Sequence, residues 1–258
     1  MVLSSYLSRI MGKVIAIGEF QLFLLKIFVY ILKPPYRRSL LFNQLNFIGT
    51  QSLGIIIMTG FFTGAVFGLQ IGGIFSVFKA EDLMGGATGI ALATELAPLV
   101  SGFLLAGRVG SAITAEISTM VVNEQVDAME AMGVDPVEYL FVPRILASMI
   151  IMPLLCGIFM FMGVVGCYLV GVFIFSIDPG IFFEKLIALV QTSDIMTGLR
   201  KMFVFAFIIS LFSCQYGITA SGGAKGVGDA TTSSVVRILI VILFTDFLIS
   251  YFEVKWLS

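Results

Sequence analysis

Residues 39–78 read SLLFNQLNFIGTQSLGIIIMTGFFTGAVFGLQIGGIFSVF and contain no Asp, Glu, Lys or Arg. A helix needs about 20 mainly apolar residues to cross the roughly 30 Å hydrocarbon layer of a bilayer, so this stretch holds a complete span with its ends to spare. The composition extends that reading to the whole chain. Of 258 residues, 59% are hydrophobic and 12% charged, with a mean hydropathy of +1.06, values outside the range of ordinary globular domains. The length leaves room for about five or six spans with their connections, read as one membrane domain over residues 1–258. The net charge of -1 and the lack of a basic run interleaved with aromatics offer no footprint for nucleic acid.

Working outward, four further segments qualify as spans: 87–118, containing Glu95, Arg108 and Glu116; the charge-free 145–177; Met202 to about Ser221; and Val235 to Tyr251, containing Asp246. Residues 14–32, VIAIGEFQLFLLKIFVYIL, differ. Glu19, Lys26 and Lys33 recur every seven residues and fall on one helical face, which suits a helix lying in the interface with its lysines reaching toward headgroups. The expected fold is therefore all-α: an N-terminal interfacial helix within residues 1–38, then five transmembrane helices within 39–258. No removable signal peptide is expected, because the N-terminus lacks a basic region, apolar run and small-residue cleavage site in sequence. The connection from Asp178 to Lys201 is expected to form short external helices.

Loop charges orient the arrangement. With the N-terminus cytoplasmic, Arg9, Lys13, Lys26, Lys33, Arg37, Arg38, Arg144, Lys225 and Arg237 lie inside, against Lys79, Lys185, Arg200, Lys201 and Lys255 outside; this excess favours that orientation. The C-terminus is then external, and the segment between spans two and three faces the cytoplasm.

Gly60, Gly64, Gly68 and Gly72 lie on one stripe of the first span, and Gly102, Ala106 and Gly110 repeat the spacing in the second. Lipid provides no hydrophobic drive for helix association, so small residues that admit close backbone approach mark helix contacts. The spacing fits packing of these two spans on each other, and equally a homodimer seam. Ionisable groups at membrane depth are costly without a partner or water. Glu95 fits either a wet cavity or a structural ion pair, Arg108 an interhelical ion pair or a carbonyl clamp, and Asp246 a partner for either arginine-bearing region or a wall of the same cavity.

Catalytic patterns are scarce. The chain has no histidine, which removes His-activated nucleophiles and most zinc sites, so neither catalytic nor metal-ligating residues are assigned. Cys156, Cys167 and Cys214 sit in apolar runs and read as small hydrophobes. The segment SGGAKGVGDATT (221–232) lacks the glycine spacing and the Lys-Ser/Thr pair of a phosphate-binding loop; it reads as a turn into the last span, with Asp229 or a nearby Thr as helix cap. Nucleotide energy would have to come from another subunit.

Between the second and third spans, MVVNEQVDAMEAMGVDPVEY (120–139) reads as a short amphipathic helix capped by Asn123 and ending at Gly133 before Asp135-Pro136. Val126 and Met129 mark one face; Glu124, Asp127 and Glu130 mark another. Such a helix, joined rigidly to two spans, can dock in a partner's groove and act as a lever, with Met129 and Met132 as adaptable contacts.

ELAPLVSGFLLAGRVGSAITAEISTMVVNEQVDAMEAMGVDPVEYLFVPR (95–144) and GVGDATTSSVV (226–236) closely resemble the signature segments of the MlaE (YrbE) permease family, the membrane subunits of ABC transporters that move phospholipid between Gram-negative membranes. The resemblance covers most of the chain. It implies an inner-membrane homodimer bound to a cytoplasmic ABC ATPase (MlaF-like), which holds ATP and magnesium, a STAS-domain protein (MlaB-like) and a periplasmic MCE-domain hexamer (MlaD-like), with no cofactor on this chain. It further implies that Asn123, Glu124, Gln125, Asp127, Met129, Glu130, Met132, Gly133, Asp135 and Pro136 form the ATPase-coupling helix. Glu95, Leu69, Leu99 and Asp246 are placed by it at a lipid cavity. Many relatives carry an arginine before that glutamate, whereas this chain has Thr94, and Asp229 stands where relatives often have arginine. A stand-alone channel or secondary transporter, and a membrane anchor for a periplasmic ring, are the alternative functions.

Overall fold

A computed structural model describes residue 18, residues 21–31 and residues 38–257. Glu19, Lys33, Arg9, Lys13 and Arg37 lie outside the described residues, so of the charged stripe only Lys26, which is exposed, is described. Eight helical elements follow: α1 (Gln21–Ile31), α2 (Arg38–Val77), α3 (Glu81–Val122), α4 (Gln125–Ala131), α5 (Val137–Phe173), α6 (Pro179–Leu189), α7 (Thr192–Ile218) and α8 (Gly223–Leu257). Five of these, α2, α3, α5, α7 and α8, are long and apolar enough to cross a membrane. The chain is an all-α membrane protein. At a rise of about 1.5 Å per residue, the 40 residues of α2 run to about twice the hydrocarbon thickness, so this helix projects beyond the apolar layer.

The two largest shifts of a span boundary have the same reason, that polar residues continue a helix when local hydrogen bonds satisfy its ends; α3 and α5 also start earlier than expected, at Glu81 and Val137. α7 starts at Thr192 rather than Met202. A capping box closes its N-terminus, with the Gln191 side chain accepting from the Asp194 backbone and the Gln191 N–H donating to Asp194 Oδ2 at 2.9 Å. The expected external helices between 178 and 201 therefore reduce to α6, and Lys201 belongs to a span. α6 itself is conventionally capped, Asp178 Oδ1 accepting from Gly180 N at 2.8 Å and Ile181 N at 3.2 Å ahead of Pro179. α8 starts at Gly223 rather than Val235. Gly222 and Gly223 adopt positive φ (92° and 69°) and make the turn, so Asp229 lies exposed within the helix and caps nothing. The hydroxyls of this polar first half bond within the bundle: Thr231 donates to Val227 O at 2.7 Å, and Thr114 of α3 donates to Ser234 Oγ at 3.0 Å.

The glycine stripe settles where the first span packs. A Cβ on Gly60 would stand 2.9 Å from the Phe159 carbonyl oxygen, one on Gly68 3.3 Å from Cys167, and one on Gly64 would overlap the Gly163 backbone. Reciprocally, Gly166 allows no Cβ beside the Phe61 carbonyl. α2 thus lies along α5 with backbones in contact, within one chain; of its stripe only Gly72 also meets α3, at the Met84 sulfur, and the glycines of α3 that repeat the spacing face elsewhere. Gly102 instead faces Phe205 of α7, and Gly110 faces Ile209 and Ser213 of α7 and Ile238 of α8. Close approach gains van der Waals contact, which is what holds helices together in lipid. The main core runs through all five spans, with Ile56, Ala97, Ile113, Phe159, Phe205 and Ile242 fully buried.

α3 is not a regular helix. Five-residue π turns at Leu92–Leu96 and Ala106–Gly110 interrupt it. Pro98 follows the first; lacking an N–H, it cannot complete the usual bond to Thr94, and the ladder widens there. Such single π turns recur at functional positions, and these two carry Glu95 and Arg108.

Candidate functional site

Three polar arrangements occupy the bundle. The first lies at membrane depth. Lys201 of α7 is fully buried, its Nζ 2.7 Å from Glu95 Oε2 on the first π turn of α3 and 3.4 Å from Asp246 Oδ1 on α8. The same ammonium donates to Ser250 Oγ at 2.8 Å, and Ser250 donates to Glu95 Oε1 at 3.1 Å. The cluster sets two carboxyl groups against one ammonium. Exposure distributes the roles: the Glu95 side chain is 46% exposed, Asp246 13% and Lys201 0%, so the charge offered to the surroundings is the Glu95 carboxylate, with its cation hidden behind it. Glu95 and Asp246 are thus brought together through Lys201. Leu69 and Leu99 are not members: Leu69 is exposed on α2, and Leu99 packs against the main core. Lys201 and Ser250 escaped the sequence reading, Lys201 because it stood next to Arg200 in a supposed loop; the Gln191 and Asp194 cap, three residues apart, was the signal that would have moved it into the span.

The second arrangement is Arg108 on the second π turn. It reaches α2, where Nη1 donates to Ser52 Oγ at 2.5 Å and Nη2 to Gln51 Oε1 at 2.7 Å, with the guanidinium 5.7 Å from the centre of the Phe47 ring. These partners are neutral side-chain oxygens and a ring face, neither a carboxylate nor a backbone carbonyl. Glu116, two turns along, pairs instead with Arg144 of α5.

The third arrangement surrounds α4. Asn123 ends α3 rather than capping α4; Glu124, in the left-handed region at φ 57°, makes the corner. That conformation costs a non-glycine residue roughly 1 kcal/mol or more. α4 closes on Gly133, also left-handed at φ 76°, with Gly133 N donating to Glu130 O at 2.9 Å and Val134 N to Met129 O at 3.0 Å, the paired bonds of a Schellman ending. Val126 is buried and Met129 turns onto the core, so Met129 packs on its own chain; Glu124, Gln125, Asp127, Glu130 and Met132 are exposed, Met132 at 73%. Pro136 is buried at the start of α5.

The flanks of α4 are pinned. Arg144 Nη2 meets Glu116 Oε1 at 2.8 Å, while its Nη1 donates to Leu140 O at 2.7 Å; this ties α3 to α5 close to the loop that joins them. Asp135 serves two neighbours, its Oδ1 accepting from Val137 N at 2.9 Å and its Oδ2 from the Tyr30 hydroxyl of α1 at 2.7 Å. Beside Asp135, the Tyr30 phenol is held above its usual pKa, so the phenol donates and the carboxylate accepts through the physiological range. α1 is further anchored by Phe23 on Phe141 of α5, edge-on at 5.5 Å, and by Phe28 on Phe207 of α7 at 5.8 Å.

The sequence has counterparts among known proteins. The sequence profile of the family described as Permease MlaE matches residues 41–252. A probable ABC transporter permease protein of Rickettsia typhi is 43% identical over 235 residues, 91% of each chain. Another of Synechocystis is 38% identical over 226 residues, 88% of this chain and 86% of its own. The chloroplast protein TRIGALACTOSYLDIACYLGLYCEROL 1 of Arabidopsis thaliana is 36% identical over 220 residues, 85% of this chain and 62% of its own. A profile covering most of the chain, and relatives aligned over most of both lengths, place it: the chain belongs to the MlaE permease family and is a multi-pass membrane permease subunit.

Proposed function

We propose that this chain is the permease of an ABC transporter that moves glycerophospholipid between the inner and outer membranes of a Gram-negative bacterium and so maintains outer-membrane lipid asymmetry. It performs no chemistry itself. ATP and magnesium reside on a separate cytoplasmic ATPase, MlaF-like, whose cycle is transmitted through α4. The chain works as a homodimer in the inner membrane, N-terminus cytoplasmic and C-terminus periplasmic, with a STAS-domain protein (MlaB-like) and a periplasmic MCE-domain hexamer (MlaD-like).

The observation that carries this reading is the construction of α4: a short helix held by a Schellman ending, its flanking spans joined by Glu116 and Arg144, and an acidic edge of Glu124, Asp127 and Glu130 turned outward. A rigid, exposed helix between two pinned spans is the form a lever takes. The lipid assignment is supported by the Arabidopsis relative, whose name carries a diacylglycerol lipid, and by the half-exposed Glu95 carboxylate within a membrane-spanning helix, a polar contact for a headgroup. Replacing Glu124, Asp127 and Glu130 together by Lys tests the lever. The expected result is loss of the co-purifying ATPase while the permease remains folded in the membrane; retained association would show that the dock lies elsewhere.

A further inference from the structure

α1 is joined to the coupling segment by a part-buried bond at the wall of a groove. A groove of about 840 Å³ separates Leu22, Leu25 and Val29 of α1 from Glu130, Val134 and Pro136, and the Tyr30 hydroxyl donates to Asp135 at 2.7 Å, between residues 105 apart in the chain. We propose that Tyr30 and Asp135 form a latch that makes α1 part of the coupling assembly, so that a displacement of α4 moves α1 along with α3 and α5. The inference rests on the reading of α4 as the ATPase dock.

Three features make the pair a latch rather than ordinary packing. Asp135 stands two residues beyond the Schellman glycine of α4, and its carboxylate accepts from Val137 N at the start of α5, so it sits at the junction of the lever and the span that follows. The Tyr30 ring rests against the main core while its hydroxyl and Asp135 both line the groove, so the bond is only partly buried and has open space on one side. On its far side, α1 is seated on α5 and α7 by Phe23 and Phe28, so motion received at Tyr30 reaches α7, the helix that carries Lys201. Tyr30 and Asp135 are positioning residues: they act through α1 and touch no substrate.

The test uses the full chain in complex with its co-purifying ATPase, in phosphatidylethanolamine–phosphatidylglycerol vesicles. ATPase bound per permease, the ATP hydrolysis rate, and the distance between spin labels at positions 22 and 132 with and without a non-hydrolysable ATP analogue are read together. In Tyr30→Phe, which keeps the ring, bound ATPase is expected to be unchanged, with hydrolysis falling roughly three- to tenfold, the scale of one accessible hydrogen bond. The 22–132 distance, constant in the unsubstituted chain, becomes nucleotide-dependent in the variant. Adding Tyr30→Phe to Asp135→Ala should cause no further loss, the non-additivity expected of a direct pair. Wild-type hydrolysis and a constant distance in Tyr30→Phe would overturn the latch alone. Failure of the unsubstituted chain to bind any ATPase would overturn the dock and the latch with it.

Discussion

At Lys201, a single ammonium separates two carboxylates in a medium where none of the three would be stable alone. Removing it leaves Glu95 and Asp246 facing each other across the gap between α3 and α8. Breaking a buried pair by deleting one partner costs about 3–5 kcal/mol, and the lower end applies because Glu95 is half exposed. Lys201→Met should therefore lower the thermal midpoint of the detergent-solubilised protein by several degrees, whereas Lys201→Arg, which keeps the charge, should lower it less; equal midpoints for Met and wild type would show that the cluster is not holding α3, α7 and α8 together. Glu95 and Asp246 were recognisable in the sequence as charges inside apolar runs. Their shared cation was not, because a lysine next to an arginine near a span's end reads as a loop until the helix start is known.

Among the elements, α2 shows how far a spacing argument reaches. A stripe of glycines every four residues declares that some backbone comes close, but the partner depends on the order in which the spans are arranged around the core. Gly64 and Gly107 offer a paired test. A methyl at Gly64 collides with the Gly163 backbone, while one at Gly107 meets nothing within 4 Å. Gly107→Ala should be neutral or stabilising by up to about 1 kcal/mol, the helix-propensity gain. Gly64→Ala should destabilise and force α2 away from α5. Both are read from thermal unfolding in detergent, and a harmless Gly64→Ala would contradict the intrachain seam. The π turns of α3 were not legible in advance: a widened turn that presents Glu95 sideways depends on what α7 and α8 hold out to it.

For the molecule as a whole, connectivity places α4 and α6 at opposite ends of α5, and therefore on opposite sides of the membrane. Cys156, Cys167 and Cys214 are all buried, so a cysteine introduced on an exposed helix reports cleanly. Ala131→Cys on α4 and Glu184→Cys on α6 should react with a membrane-impermeant maleimide from opposite faces, α4 in inside-out vesicles and α6 in right-side-out ones. Labelling of both from the same face would overturn the five-span arrangement. On the topology we propose, the α4 side, which carries the larger share of Lys and Arg, is the cytoplasmic one, and that excess persists when Lys201 is counted with α7 instead of the outer loops.

Hydropathy and charge sufficed for the number of spans and the short helix between the second and third, because both depend on runs of consecutive residues whose solvent is decided by length; the family was legible only through the resemblance of the segments 95–144 and 226–236. Tertiary structure decided which helix receives the glycines of α2, what neutralises Glu95 and Asp246, that Arg144 rather than Arg108 meets Glu116, and that Tyr30 holds Asp135. These are pairings between residues far apart in the chain. In a bilayer every span satisfies its backbone internally and is equally at home in lipid, so sequence periodicity carries no preference among neighbours; close steric fit and the pairing of costly charges supply it, and both exist only once the helices are assembled.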